Sequence, residues 1–325
     1  MRKSLTVGMA VHTDYDGLYF TLQALRLYHG LYIDELIVVD NTVKGAVTSH
    51  GTERELNLKL CEKMHRDSPG MACRLIHTKL TGTAQPRNLV FQESSSEFTM
   101  CLDSHVLLHQ DAIKALHEYL TAFPDNNDLL HGPLYYDDNR SILATHMEPQ
   151  WGTDSMFGVW HDSRQTDKWL EIPAHGLGLF AMRTSAWPGF NEHFREFGGE
   201  EGYIHDKVRQ KGGKCVCIHG LGWNHRFEHI RGKHYRATPW MMLANYIVGR
   251  VEMGYRWDDV ITHFRTHRKM PQDDIVEAVS YAKGIYPQMG RPDQGKDFIM
   301  YSGVKKGLVT VTQEEKFVDF ANVAD

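Results

Sequence analysis

The chain has 325 residues, 42% hydrophobic and 24% charged, with 36 Lys and Arg against 41 Asp and Glu for a net charge of −5. This is the balance of a soluble globular protein, long enough for one large α/β domain with additions or for two ordinary domains. No stretch approaches the roughly 18 uncharged apolar residues of a membrane helix, which excludes a spanning segment. The start, MRKSLTVGMAVHTDYDG, reaches His12 and Asp14 before any long apolar run, so it reads as a first strand, not a signal peptide, and the cytoplasm is the expected location.

The first half alternates strand-like and helix-like segments. Leu5 to Val11 is short and apolar, and Gly17 to Tyr28 carries leucine and aromatic positions at helical spacing. ELIVVD, Glu35 to Asp40, has the composition of a strand buried on both faces; Arg54 to Met64 is amphipathic, and Cys73 to Thr78 is again strand-like. A helix follows from Pro86 through Ser94, then the strand Phe98 to Leu102. Such β-α-β-α order with short connections predicts a parallel, doubly wound sheet, in which ligands bind beyond the carboxyl ends of the strands. Polar residues gather at those ends: His12 and Asp14, then Asp40 and Asn41, then Asp103 and His105.

FTMCLDSHVLL, Phe98 to Leu108, is the most informative string in the chain. Asp103 and His105 stand two apart at the end of a strand, where side chains share a face. A carboxylate oxygen and an imidazole nitrogen suit a divalent cation with open positions. Alone, Asp-Ser-His is also an ordinary turn or helix cap.

Further on, Phe197 leads through Gly198 and Gly199 to Glu200 and Glu201, with a helix expected over Tyr203 to Lys211. The glycines allow close backbone approach to a ligand, and the acids are expected to hydrogen-bond hydroxyls of a ligand or orient a second substrate. Acidic residues in a first helical turn are also stabilised by the helix dipole alone. The stretch from Tyr135 to Ile172 holds Trp151, Phe157, Trp160 and Trp169. Each tryptophan singly reads as packing, although part of the segment is expected to border an acceptor, and Asp137 and Asp138 read as a solvated turn. The five cysteines are odd in number and irregular in spacing, as in reduced thiols. Cys215 and Cys217, in KCVCI, are expected to point to opposite faces as structural thiols.

Several strings in order resemble the GT-A glycosyltransferases, and in particular the polypeptide N-acetylgalactosaminyltransferases. They are ELIVVDN, GTAQPRN, CLDSH, HGLGLFAMRTSAW, FGGEEGYIHDKVRQKGG and GLGWNHRF, spanning roughly Ser4 to Phe227, about two thirds of the chain. The resemblance implies a GT-A fold: a Rossmann-like, mostly parallel α/β sheet flanked by helices. It implies Asp103, His105 and His225 as metal ligands, Asp40 and Arg87 as nucleotide contacts, and Glu200 as the glutamate after the paired glycines. Glu201 replaces the asparagine of that family, and no lectin-like domain follows. A retaining outcome is likewise an implication of the resemblance.

Chemistry gives the same metal set an independent reason. A sugar nucleotide leaves as a diphosphate, and a divalent cation with open positions neutralises the charge that develops. Oxygen with two imidazoles favours Mn2+ over Mg2+. The expected donor-binding set is His12, Asp14, Asp40, Arg87, Ser104, Arg226, Arg231 and Tyr235, with Glu200 and Glu201 as the catalytic pair. From His225 to Lys269 there are nine Lys and Arg against four Asp and Glu, and the basic loop RFEHIRGKHYR suits a diphosphate. Beyond it, Pro239 to Val251, Trp257 to Phe264 and Gln272 to Tyr286 read as helices.

The division expected is a catalytic domain over 1–228 and a basic loop with a helical C-terminal subdomain over 229–325. The function expected is metal-dependent transfer of a sugar from a nucleotide-diphosphate donor, a UDP-sugar, to a hydroxyl on a protein, glycan or small molecule. Two alternatives stand beside it: transfer to a hydroxymethylated base in DNA, for which the basic region speaks, and a non-catalytic sugar-nucleotide or glycan binder of the same fold.

Overall fold

The computed structural model describes residues 2–136, 142–152, 157–163, 167–227 and 237–298. β1 (Leu5–Val11) leads into α1 (Tyr15–Ala24), which widens into a π-helical turn at Leu25–His29 and then tightens into a 3-10 turn at Gly30–Tyr32 before β2 (Glu35–Asp40). A small hairpin, β3 (Val47–Thr48) and β4 (Gly51–Thr52), precedes α2 (Glu53–Asp67). That helix starts where it does because Thr52 and Glu55 cap each other: each side chain accepts the other residue's backbone N–H. β5 (Ala72–His77), α3 (Ala84–Glu93), β6 (Phe98–Asp103), β7 (Val106–Leu108) and α4 (Ala112–Ala122) complete the first half.

The second half contributes β8 (Leu129–His131), β9 (Leu134–Tyr135), β10 (Ile142–Ala144), the hairpin β11 (His146–Trp151) and β12 (Phe157–His161), β13 (Trp169–Glu171) and β14 (Leu179–Arg183). Then come α5 (Glu200–Gln210), β15 (Cys215–Ile218), β16 (Trp223–His225), α6 (Pro239–Glu252), α7 (Asp258–Thr266) and α8 (Gln272–Ile285). No helix among the described residues is long and apolar enough to cross a membrane.

Eight strands form one sheet in the order β13-β15-β8-β14-β6-β1-β2-β5. β6, β1, β2 and β5 run parallel, as the alternating pattern predicts, while β14 enters antiparallel between β6 and β8. β8 and β15 are again parallel, and β13 closes the edge antiparallel. The sheet is therefore mostly parallel, flanked by helices. A second sheet, β10-β9-β16-β7, stands at the carboxyl end of β6.

Its key pairing is β16 against β7, antiparallel, with His225 opposite Val106. One core cluster packs Leu5, Leu22, Leu36, Met100 and Trp223. The other joins Ile37, Val39 and Phe180 from the main sheet to Leu243, Ile247, Phe264 and Ala278 from α6, α7 and α8.

Three expectations change. α5 begins at Glu200, three residues earlier than periodicity suggests, because Gly198 and Gly199 hold left-handed backbone (φ +100° and +93°) and release the chain directly into the helix. Cys215 and Cys217 face the same side of β15 and lie in one core cluster, since residues two apart on a strand share a face. Asp103 and His105 do converge, but the pleat is not the cause: β6 ends at Asp103, and Ser104 and His105 form the turn into β7.

Candidate metal centre

Asp103, His105 and His225 offer one carboxylate oxygen and two imidazole nitrogens that all lie within 4.8 Å of one another, and no other such cluster occurs among the described residues. His225 Nε2 is 3.6 Å from Asp103 Oδ2. The two imidazoles meet edge to face, ring centres 4.8 Å apart. Sequence separation of 120 residues is closed by the β16–β7 ladder and by the Arg226 N–H, which bonds the His105 carbonyl at 3.3 Å.

The other Asp103 oxygen accepts a 2.8 Å hydrogen bond from Arg87 Nη2. Arg87 is buried in the first turns of α3. Burial pushes the Asp103 carboxyl up, but the Arg87 charge, the His225 hydrogen bond and the charges of both imidazoles outweigh it and hold the group well below the usual carboxylate range. Asp103 is thus an anion at any physiological pH. Gly178 makes room for it: a Cβ there would lie 3.3 Å from Asp103 Oδ2 and 2.8 Å from the Trp223 ring. The glycine in HGLGLF was the available sequence signal, although its reason lies in this contact.

Glu200 and Glu201 sit in the first turn of α5, both buried. Thr83 Oγ1 donates to Glu200 Oε1. Burial raises the Glu200 carboxyl despite that bond and the nearby Arg87 charge, and burial together with the Glu200 charge pushes Glu201 up to about 8. Gly82 (φ +87°) allows the loop before α3 to touch this region, since a Cβ there would lie 2.3 Å from the Glu196 carbonyl. Thr83 N–H bonds that carbonyl at 3.1 Å. Gly82 and Thr83 open the GTAQPRN string, and the contacts to Glu196 and Glu200 give each a part in building the site.

The expected donor contacts fall into three groups. His12 Nδ1 lies 3.0 Å from the Asn41 carbonyl, and Asn41 Nδ2 donates to the carbonyls of Leu80 and Gly82, so the ends of β1, β2 and β5 form one rim. Asp40 is completely buried: its oxygens accept from Thr42 N–H (2.8 Å) and Asn57 Nδ2 (3.1 Å), with His77 Nδ1 at 3.4 Å. In this conformation Asp40 shapes the rim and presents no surface to a ligand. Ser104, His105 and Arg226 each bond the Asp14 carboxylate. Arg231 and Tyr235, like Asp137 and Asp138, lie outside the described residues.

The tryptophans of the middle stretch pack as expected. Trp151 stacks on His263 at 4.3 Å, Trp169 meets Tyr119 and Phe123 edge-on, and Trp160 meets His175 edge to face. A second group of imidazoles, His131, His175 and His205, is fully buried in the core. Their rings stack at 5.2 and 4.8 Å, and burial drives all three pKa values down, to about 4 for His175 and about 3 for His205.

The donor set fits a divalent cation. Asp103 is ionised, two imidazoles face it, and Arg87 and Asp14 hold the remaining polar atoms of Asp103 and His105.

This architecture, with its strand-end site, is the GT-A fold of nucleotide-sugar glycosyltransferases. The chain resembles GalNAc-T7, solved with UDP, GalNAc and Mn2+, at a TM-score of 0.62 and 16% identity over 91% of this chain and 56% of that one. It resembles Staphylococcus aureus TarS 1-349 in complex with UDP-GlcNAc at 0.55 and 13% identity, covering 88% of this chain and 81% of that one. The mannosyltransferase PcManGT of Pyrobaculum calidifontis, in complex with GDP-Man and Mn2+, is similar at 0.51 and 13% identity, with 90% and 77% covered. The chain therefore spans a little over half the length of the GalNAc-T7 structure and about four fifths of the other two. No protein family model matches the chain, and no curated protein does.

Proposed function

We propose that this protein is a metal-dependent glycosyltransferase that moves a sugar from a nucleotide-diphosphate donor, a UDP-sugar, to a hydroxyl acceptor with retention. The observation that carries this reading is the meeting of Asp103, His105 and His225 beyond the carboxyl end of β6, in a GT-A fold.

A bound divalent cation would supply Lewis-acid stabilisation of the charge that develops on the leaving diphosphate. The chain's own residues do the rest. Arg87 keeps Asp103 ionised and fixes which oxygen faces the imidazoles. Arg231 and Tyr235, which follow His225 in the sequence, supply hydrogen-bond donors for phosphate. His12 and Asn41 line the nucleoside end, with Asp40 buttressing them. Glu201, held neutral near pH 7, donates a hydrogen bond to a sugar or acceptor hydroxyl, while Glu200, bound to Thr83, accepts one. The acceptor belongs to one of four classes: protein, glycan, small molecule or hydroxymethylated DNA.

A panel of nucleotide sugars screened for Mn2+-dependent release of nucleoside diphosphate tests the reading. Turnover with one donor and its loss on chelation are expected. Tight donor binding without release under any acceptor or metal condition would replace the enzyme with a binder of the same fold. Proton NMR of the product anomer decides between retention and inversion, and labelled transfer to hydroxymethylated DNA separates that acceptor from the others.

A further inference from the structure

Asp14 is among the expected nucleotide contacts, yet its carboxylate bonds His105 and two residues that flank the candidate ligands, Ser104 and Arg226. Its Oδ2 accepts from His105 Nδ1 at 2.8 Å and from Ser104 Oγ at 2.7 Å, and its Oδ1 accepts from Arg226 Nη2 at 2.8 Å. The carboxylate is largely buried, and three features build a seat for it. Thr13, in left-handed backbone (φ +56°), donates its N–H to Thr42 Oγ1 and so sets the direction in which the chain leaves β1. Thr21, two turns along α1, bonds the carbonyls of Ser104 and Val106, locking that helix to the turn that carries His105. Gly17 leaves the space the carboxylate fills, because a Cβ at that position would lie 2.2 Å from Asp14 Oδ2.

An ionised carboxylate only accepts, so the proton in the Asp14–His105 bond sits on Nδ1 of the imidazole, and the ring's lone pair is on Nε2.

We infer that Asp14 is a positioning residue for the metal centre: it fixes the tautomer and orientation of His105 so that Nε2 is the ligating atom, and through Arg226 it ties the residue after His225 to the same anchor. This rests on the metal-dependent reading above. Partners that orient a ligating histidine typically change metal affinity by about 10–100-fold when removed.

Mn2+ binding to the full chain, measured by the free-ion electron paramagnetic resonance signal, is compared for wild type, Asp14→Ala, Gly17→Ala and the double variant. Both single variants are expected to weaken Mn2+ about 10–100-fold. The double variant should bind no more weakly than Asp14→Ala, because Gly17→Ala acts only by displacing the carboxylate. Nitrogen-15 NMR of the metal-free protein gives a readout that a merely structural role would not move: a single Nδ1-protonated tautomer at His105 in wild type, and a tautomer mixture in Asp14→Ala.

Wild-type Mn2+ affinity in both single variants, or an unchanged His105 tautomer in Asp14→Ala, overturns the inference while leaving the metal reading intact. Absence of Mn2+ binding by the wild type removes the metal reading itself. If Asp14→Ala does not fold, as judged by circular dichroism, Gly17→Ala carries the comparison alone, with the same two outcomes.

Discussion

Two groups of three side chains, each rich in histidine, stand within one chain and differ in what surrounds them. His105 and His225 are about one-sixth exposed, and each has a carboxylate beside it, Asp14 and Asp103 respectively. His131, His175 and His205 are fully buried among backbone carbonyls and one another: His131 Nδ1 lies against the Leu179 carbonyl, His205 Nδ1 against the Glu201 carbonyl, and the two Nε2 atoms are 3.0 Å apart. A cation needs negative charge and an open side. The cleft provides both and the core neither, so the same residue type is a proposed ligand in one place and packing in the other.

The largest effect that would break this contrast is at Asp103. Asp103→Asn keeps the shape but removes the anion, and nucleoside diphosphate release is expected to fall by about 10³-fold or more, on the order of 4 kcal/mol in the barrier. His205→Leu, assayed in parallel, should retain wild-type Mn2+ affinity. Next, Mn2+ at 100 times its dissociation constant should stabilise the wild type by about 2.7 kcal/mol, read as a shift in Tm that chelation reverses. That shift is expected to vanish in His225→Ala and to persist in His205→Leu. The reverse pattern would exchange the roles of the two groups.

Smaller again is the stability cost of the core group. The His175 N–H donates to His205 Nε2 at 3.0 Å, and His205→Leu leaves that buried donor without a partner. Urea denaturation should show a loss of about 2 kcal/mol, whereas His225→Ala, at the partly exposed site, should lose less.

The gentlest probe is pH. In the unfolded chain these imidazoles take up a proton below about 6.5, but in the folded protein uptake waits until about 4 for His175 and about 3 for His205. The unfolded state therefore binds more protons across that window. The contribution is fully present above about pH 6.5 and is lost as pH falls toward 3, with a slope of up to about 1.4 kcal/mol per pH unit for each group. Glu201 works in the opposite direction. Its carboxyl is raised to about 8, so its contribution is present below the ordinary carboxyl range near 4.5 and is lost as pH rises toward 8. Glu201→Gln should flatten the loss of stability between about pH 4.5 and 8 and leave the profile below that window unchanged.

Much of the fold was legible from local pattern. ELIVVD and FTMCLD are strands because β-branched and apolar residues in a short run leave no polar face for solvent, and both are buried along nearly their whole length. The helices after 237 likewise followed their periodicity to within a few residues. The antiparallel entry of β14 was not legible, since apolar strands of either direction read alike. In the site, the Asp-x-His string and the resemblance pointed to three residues that the fold brings together. They did not show that Ser104 and Arg226 both bond Asp14, nor that Asp40 is sealed beneath the rim.

By itself, then, the sequence determined which segments become strands and helices, where polar side chains must gather at strand ends, and which motif offers a carboxylate beside an imidazole. These follow from hydrophobic spacing and backbone preference, which act over a few residues. Only the tertiary structure decided which of 20 histidines meet an acid. The pairing of β16 with β7 carries His225 across 122 residues to Asp103, and the seat at Gly17 turns Asp14 toward His105. Such contacts depend on strand register and on space left by distant side chains, and neither is written in any short stretch of the chain.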